Sequence, residues 1–489
     1  MTTENPYARG VRRALRASAY AVPIGALGSA SVYLTNWILG RVSPELLGAY
    51  AGLLTMSGVV VSMFVLGGTN VLVHFSAGMD ATEKSVFTSR YALVCLLGAA
   101  AGLGVVLLAR GVGVVLPAAV RDVPMPALIA AVAGSTLSTT ATGALLSQMR
   151  LVTAAVMSCL ASLTLLLVCG LLWIGGLLSV DSVFWLVGGV YFLAGAGGWI
   201  IARVSWPHRV TSLRTGWPAG FWQYVLPLHA STVVVFLAST FDVFVVGSSG
   251  FAALGVYRVV IIARTLACWL PNMIHPPLYP VLRRALAEHD RETATSLVQL
   301  YSRLDSASAV FPAVSLILLV RLFVGTFGPG YSAAIPGAIL AIAASGLLWP
   351  ITQMGGTVLV AEGMMWQSLA INCVSLTMGW TTAGLLYKSA GLVGVSLAVG
   401  IATAVGTGLQ VVVLRRMGWR LPLRWSAVSL VSLAVSCVVV LWMENRVAGA
   451  VIALTVTAGL ALSARMITAG DFKRVLRGVA TRKVREDVS

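Results

Sequence analysis

The stretch that decides the fold runs from Phe236 to Leu282 and reads FLASTFDVFVVGSSGFAALGVYRVVIIARTLACWLPNMIHPPLYPVL. It predicts the end of one membrane-spanning helix, a short Gly/Ser turn and a second spanning helix. Asp242 lies near the end of the first helix, and Arg258 and Arg264 lie inside the second. Charges at membrane depth are costly and usually face a protein interior or a wet cavity. The stretch therefore predicts a functional site.

The second helix of this stretch carries two polar lines. Arg258, Thr265 and Asn272 recur at a spacing of seven residues, which keeps them within about 40° of one line along a helix. Tyr257 and Arg264 form a second line at the same spacing, about 100° round from the first. We predict that Arg258, Arg264, Asn272 and Tyr257 belong to a cationic substrate cavity.

Asp242 is open to two interpretations. It either takes part in ion coupling or pairs with Arg258 and pins the two helices together, because intramembrane charges commonly pair with one another. Arg264 has no evident acidic partner in the stretch, which favours a cavity role for it.

The composition is that of a helical membrane protein. Of the 489 residues, 58% are hydrophobic and 10% are charged, and the mean hydropathy is +0.91. At roughly 20 residues per span, the apolar runs predict an all-α polytopic fold of about 14 spans with no soluble catalytic domain. The predicted spans lie near residues 18–39, 49–75, 91–116, 127–147, 152–174, 183–202, 221–246, 254–274, 307–327, 334–360, 367–387, 392–414, 426–443 and 447–464. The mixed-charge segment at 283–306 predicts a short helix on the membrane surface.

The net charge of +17 reflects topology, and no nucleic-acid partner is expected. With the N-terminus in the cytoplasm, 25 of the 33 Lys and Arg residues fall in cytoplasmic segments, as the positive-inside rule requires. An even number of spans then places both basic termini in the cytoplasm.

A weak internal repeat divides the chain. LLGAY at 46–50 matches ALGVY at 253–257, and MPALIAAVAG at 125–134 matches IPGAILAIAA at 335–344. Six spans per copy give the two copies the same orientation in the membrane. Transporters built from two parallel repeats place the substrate between the halves. We predict an N-terminal lobe (1–202), a basic cytoplasmic linker (203–220), a C-terminal lobe (221–414) and two further spans with a basic cytoplasmic tail (415–489).

An integral-membrane enzyme is not favoured. It would require clustered Asp, Glu or His at one membrane face to hold a metal or act as a base. The acidic residues are scattered, the five His lie on separate segments, and the six Cys lack CxxC spacing. We expect no catalytic residue, metal site or cofactor.

Five stretches together resemble a known family: GRVSPELLGAY at 40–50, FDVFVVGSSGFAALGVY at 241–257, prolines at 276, 277 and 280, FGPGYSAAIPGAILAI at 327–342, and SAGLVGVSLAVGIAT at 389–403. The chain resembles the polysaccharide-biosynthesis flippases of the multidrug/oligosaccharidyl-lipid/polysaccharide exporter (MOP) superfamily. The resemblance implies a V-shaped fold of two lobes. It also implies outward movement of an undecaprenyl-diphosphate-linked sugar by alternating access in a bacterial or archaeal plasma membrane. Membrane lipids and a polysaccharide polymerase or other glycan-assembly proteins are the implied partners. Val260 stands where the family usually has Ala, so Arg258 and Arg264 are not equated with residues of relatives.

A lipid diphosphate suits the basic residues of the spans. It carries about two negative charges, and the forked donors of Arg match phosphate oxygens. We therefore predict that Arg258, Arg264 and Arg321 line the substrate cavity. We further predict that Arg41 and Glu45 form an outer gate or a structural turn, and that Arg16 lies at the inner mouth.

Three other functions are considered. A cation-coupled multidrug antiporter on the same fold predicts buried acids in the N-terminal lobe, and spans one to six contain no clear one. A peptidoglycan-precursor flippase is closer and stays open. A scaffold for a glycan-synthesis complex leaves the intramembrane arginines unexplained.

Overall fold

The computed structural model describes most of the chain. The described residues are 6–76, 79–111, 122–148, 150–204, 217–275, 278–287, 289–419, 421, 424–442 and 446–464. Most of the predicted basic linker and the predicted C-terminal tail lie outside them. The side chain of Arg16, the predicted inner-mouth residue, also lies outside the described part.

The described residues form α-helices, one 3₁₀ helix and no strand. The first half contains α1 (Pro6–Val42), α2 (Pro44–Phe64), α3 (Gly68–Ser76), α4 (Ala81–Gly111), α5 (Met125–Ser147), α6 (Leu151–Ile174) and α7 (Val180–Val204). The rest contains α8 (Phe221–Gly247), α9 (Phe251–Ala267), α10 (Trp269–Ile274), α11 (Leu278–Ala287), α12 (Arg291–Leu318), α13 (Val320–Gly325), the 3₁₀ helix Pro329–Ala334, α14 (Ile335–Ala361), α15 (Met365–Arg416), α16 (Arg424–Trp442) and α17 (Arg446–Ser463).

These helices account for the predicted spans. The second, eighth and ninth spans are each broken, into α2 and α3, α9 and α10, and α12 and α13. Helix α15 is two spans joined at Gly391, whose non-helical backbone (φ 56°, ψ −135°) interrupts the helix. Eight helical segments of the described chain are long and apolar enough to cross a membrane. The all-α polytopic fold with about 14 spans is confirmed.

One predicted element is wrong. The segment at 283–306 is not a separate helix on the membrane surface, because His289 adopts a left-handed backbone (φ 58°) and divides it. The Asp290 side chain then caps α12 by accepting a hydrogen bond from the Thr293 N–H at 2.9 Å. From there α12 continues into the ninth span, burying Leu297 and Tyr301 against α14 and α15. The charged face predicted a surface helix, whereas the apolar face packs inside the C-terminal half.

The two halves meet where α2 crosses α9. A Cβ added to Gly48 would lie 1.9 Å from the carbonyl oxygen of Phe251, and one added to Gly255 would lie 1.8 Å from that of Pro44. Gly48 and Gly255 are equivalent in the internal repeat, as are Pro44 and Phe251, so the contact is reciprocal. A two-fold axis between two copies produces such a contact. The exact lobe boundaries stay a prediction.

Candidate substrate site between the two halves

Asp242 of α8 is the buried centre of one hydrogen-bond network. Its Oδ1 accepts from the Val243 backbone N–H at 2.9 Å, and its Oδ2 accepts from the Tyr257 hydroxyl at 2.8 Å and from Arg264 Nη1 at 3.4 Å. The alternative in which Asp242 pairs with Arg258 is therefore wrong. Tyr257 and Arg264 form the line of α9 that faces α8, and Arg258 lies on the other line.

Arg258 instead connects α9 to the first half of the chain. Its Nε donates to Asn36 Oδ1 of α1 at 3.2 Å. The Nδ2 of Asn36 donates to the Val32 carbonyl at 2.6 Å, which fixes the amide with its oxygen toward Arg258. The guanidinium carbon also lies 5.9 Å from the ring centre of the buried Tyr50, within the range of a cation–π contact. Arg258 thus holds the two halves together.

Arg264 keeps hydrogen-bonding capacity after these contacts. A guanidinium has five N–H donors, and in the described part of the chain Arg264 uses one, in the 3.4 Å contact with Asp242. Its side chain is 23% exposed, whereas that of Asp242 is 1% exposed. Arg264 lies six residues beyond Arg258 on α9, about 9 Å along the axis. Two guanidinium groups and one carboxylate therefore leave a net positive charge around α9.

One end of the bundle, which we call the Pro44 end, is closed by contacts between the halves. It carries Pro44 and Phe251 and is predicted to face outward. The indole N–H of Trp37 donates to the Thr326 carbonyl at 3.0 Å. The Tyr331 hydroxyl donates to the Gly40 carbonyl at 2.9 Å. These bonds join the end of α1 to the connection that leads into α14.

The opposite end, which we call the Phe221 end, is also closed. His229 of α8 accepts a hydrogen bond from the Gly67 N–H at 3.4 Å, and its Nε2 lies 3.1 Å from the Met63 carbonyl, at the break between α2 and α3. Beside it, the His74 ring stacks on Tyr224 with ring centres 3.8 Å apart. Contacts between the halves are therefore present at both ends, and the bond from Arg258 to Asn36 lies between these ends.

Solved structures share this architecture, although no known family model and no curated protein sequence matches the chain. The lipid II flippase MurJ, in an inward closed conformation, matches with a TM-score of 0.66 and 14% identity over 94% of this chain and 99% of that one. The Vibrio cholerae MATE transporter VcmN matches with a TM-score of 0.62 and 13% identity over 84% and 98%. An outward-facing multidrug MATE transporter of the MOP superfamily matches with a TM-score of 0.58 and 15% identity over 83% and 96%.

The chain has the fold of the MOP-superfamily transporters. The resemblance seen in the sequence is thereby confirmed at the level of the fold, and the matching proteins are transporters and not enzymes. An identity of about one residue in seven shows a shared fold but no shared substrate. The assignment to polysaccharide synthesis stays a prediction.

The remaining predicted site residues lie elsewhere in this fold. Asn272 of α10 accepts a hydrogen bond from the Trp349 indole at 2.9 Å, which ties α10 to α14. Arg321 is exposed on the short helix α13. Arg41 and Glu45 are exposed on either side of Ser43, the residue that caps α2. The structure therefore brings Tyr257, Arg258, Arg264 and Asp242 together and leaves these four outside that group.

Two residues of the site were not predicted. Asn36 is fully buried and accepts from Arg258, and Tyr50 lies under the same guanidinium. A signal was present for each of them. Asn36 is an amide inside an otherwise apolar span, and Tyr50 is the repeat equivalent of Tyr257.

Among the described residues, no group of three or more His, Cys, Asp or Glu side chains is placed to hold a metal ion.

Proposed function

We propose that the chain is a flippase that moves an anionic polyprenyl-diphosphate-linked saccharide from the inner to the outer leaflet by alternating access. The observation that carries the proposal is the pair of arginines on α9: Arg258 bonds Asn36 of the first half, and Arg264 keeps donors left over after its bond to Asp242.

The geometry supports an exchange of partners at Arg264. Its 3.4 Å contact with Asp242 is long for a charged hydrogen bond, and a phosphate oxygen can replace the carboxylate. Asp242 would not be stranded by the exchange, because the Tyr257 hydroxyl and the Val243 N–H still satisfy its two oxygens. The lone pairs of Asp242 therefore stay hydrogen-bonded while Arg264 bonds a phosphate oxygen.

Arg258 supports the alternating step. Its bond to Asn36 crosses between the halves on the side of Arg264 nearer the Pro44 end. Breaking this bond, together with the Trp37 and Tyr331 contacts, separates the halves at that end and opens a path for release. The guanidinium then becomes free to follow the phosphate.

The membrane potential supplies a direction. A lipid diphosphate carries about two negative charges, and each charge that moves outward across an inside-negative membrane releases about 2.3 kcal/mol per 100 mV. The potential alone therefore biases the lipid toward the outer leaflet.

One observation favours a lipid substrate over a cationic drug. The described acidic side chains before α8 are all exposed. A drug antiporter that binds its cation in the first half would require a buried acid there. The exposed acids are Glu45, Asp80, Glu83, Asp122 and Asp181.

A leaflet assay tests the proposal. Liposomes carrying the purified full-length protein receive one of three labelled probes: a polyprenyl-diphosphate oligosaccharide, a peptidoglycan lipid precursor, or a small organic cation. We expect movement of a lipid diphosphate that rises when an inside-negative potential is applied. Movement of the precursor but not of the oligosaccharide would assign the chain to peptidoglycan synthesis. Movement of the cation alone would overturn the proposal in favour of a drug antiporter.

A further inference from the structure

A second polar cluster lies inside the C-terminal half, away from the two arginines. His275, at the bend that ends α10, has its Nδ1 2.7 Å from Asp305 Oδ2 of α12 and its Nε2 2.7 Å from Thr357 Oγ1 of α14. His275 is 8% exposed and Asp305 is 1% exposed. Within the described chain, Oδ1 of Asp305 is buried without a hydrogen-bond partner. The cluster joins three helices through one titratable ring.

The hydrogen bonds of His275 are compatible with two protonation states of its ring. With a neutral ring, Nδ1–H donates to Asp305, Nε2 accepts from the Thr357 hydroxyl, and the buried pair carries a net negative charge. With one more proton, the ring donates from both nitrogens, Thr357 becomes an acceptor, and the pair is neutral overall. Burial penalises an uncompensated carboxylate, above all one with an unpaired oxygen, so the proton-bound state is favoured while the cluster is closed.

We propose that His275, Asp305 and Thr357 form a proton-binding site that couples the movement of the transporter to a proton gradient. The site stands on its own geometry. Only its use in driving lipid export depends on the proposed function.

His275 forms an ion pair with Asp305 when its ring is protonated, because Nδ1 lies 2.7 Å from Oδ2. The other described titratable groups on the surrounding helices are Tyr257, Arg258, Arg264 and Cys268 on α9, Tyr279 and Arg283 on α11, Arg291, Glu292, Tyr301 and Arg303 on α12, Arg321 on α13, and Arg424 and Cys437 on α16. Of these, Arg264 is paired with Asp242, Arg283 donates to the Ala361 carbonyl at 3.0 Å, and Arg424 lies over the Trp425 ring. The described side chains of α14 and α17 include no charged group, and Tyr33 and Arg41 of α1 lie toward the Pro44 end.

The three helices are each interrupted at the same distance from the cluster. The break between α9 and α10 at Cys268 precedes His275 by seven residues, Pro312 of α12 follows Asp305 by seven, and Pro350 of α14 precedes Thr357 by seven. Because α12 runs opposite to α10 and α14, all three breaks lie on the same side of the cluster, about 10 Å away. Helices kink at proline because an intrahelical hydrogen bond is lost. The three helix ends can therefore move together and open the cluster to water, where the carboxylate is hydrated and the proton leaves.

A substrate-free measurement tests the site. Proteoliposomes with the full-length protein are adsorbed on a solid-supported membrane, and the charge displaced by a pH jump is recorded without lipid substrate. We expect a transient charge movement that falls at least tenfold in Asp305→Asn and in His275→Gln. The matched controls Asp181→Asn and His289→Gln change exposed residues and should keep the signal. Equal signals in wild type, Asp305→Asn and His275→Gln would overturn the proposal.

Thr357→Val provides a second test that does not remove a charge. The hydroxyl bonds the charged ring more strongly than the neutral ring, so its loss should weaken proton binding about tenfold and lower the midpoint by about one pH unit. An unchanged midpoint in a variant that elutes as wild type in gel filtration would contradict the proposal. Since neither measurement uses the lipid, a failure here is distinct from a failure of the leaflet assay.

Discussion

The crossing of α2 and α9 gives the sharpest prediction about conformational change. Gly48→Ala places a methyl group 1.9 Å from the Phe251 carbonyl oxygen, and Gly255→Ala places one 1.8 Å from that of Pro44. A carbon and a carbonyl oxygen approach to no less than about 3.3 Å, so the helices must separate by about 1.4 Å at this point. Overpacking of this kind costs about 1–3 kcal/mol. We expect either variant to shift the equilibrium away from the closed Pro44 end by about fivefold to 150-fold.

A distance measurement between two spin labels reports the equilibrium between the closed and the open Pro44 end. One label replaces the exposed Val42 in the first half and the other replaces the exposed Ala252 in the second, with the exposed Cys373 changed to Ser. Both glycine variants should increase the population with a long label-to-label distance.

The control is Gly104→Ala on α4, where an added Cβ meets no atom within 4 Å. It should keep the distance distribution of the unsubstituted chain. If Gly48→Ala and Gly255→Ala behave like this control, the crossing is not the closure of the Pro44 end.

Three further predictions concern single side chains. Asp242→Asn leaves Arg264 without its anion and should lower the free energy of unfolding by about 2 kcal/mol, a value reduced from that of a fully buried pair because Arg264 is 23% exposed. The melting temperature should fall by about 2 °C, and an unchanged melting temperature would contradict this prediction. Asn36→Leu removes the acceptor of the other arginine and should open the Pro44 end in the spin-label assay, by an equilibrium shift of about 1–3 kcal/mol. The hydrogen bonds from Thr293 hold the pKa of the exposed Asp290 carboxyl below its usual range, so the cap is present above the unfolded pKa and is lost as pH falls through the folded one. The protection factor of the Thr293 amide, which corrects hydrogen exchange for its intrinsic pH dependence, should therefore fall at acid pH in the natural chain and should be low at every pH in Asp290→Ala.

The sequence was informative wherever a local pattern sufficed. Apolar runs predicted the spans, and the seven-residue spacing on α9 separated Tyr257 and Arg264 from Arg258 before any partner was known. The partners themselves depend on packing. Asp242 lies 22 residues from Arg264, and Asn36 lies 222 residues from Arg258, so no local rule selects one carboxylate or amide for each arginine.

Two features could be recognised only in the folded structure, because the local sequence around each allows more than one interpretation. The segment before the ninth span has a charged face and an apolar face, and only the packing of Leu297 and Tyr301 shows that it lies against α14 and α15 rather than on lipid. His275 looked like an isolated residue because Asp305 and Thr357 come from two other helices, 30 and 82 residues further along.

Direct binding of a diphosphate lipid tests the central claim, that Arg264 is the anion-binding residue between the halves. A short-chain polyprenyl diphosphate is titrated into the purified full-length protein, the Arg264→Gln variant, and the matched control Arg415→Gln, which changes an exposed arginine. Loss of charge-assisted hydrogen bonds to phosphate should weaken binding about tenfold to hundredfold in Arg264→Gln and leave the control unchanged. Equal affinity in all three proteins would contradict the claim and leave Arg264 as a structural partner of Asp242.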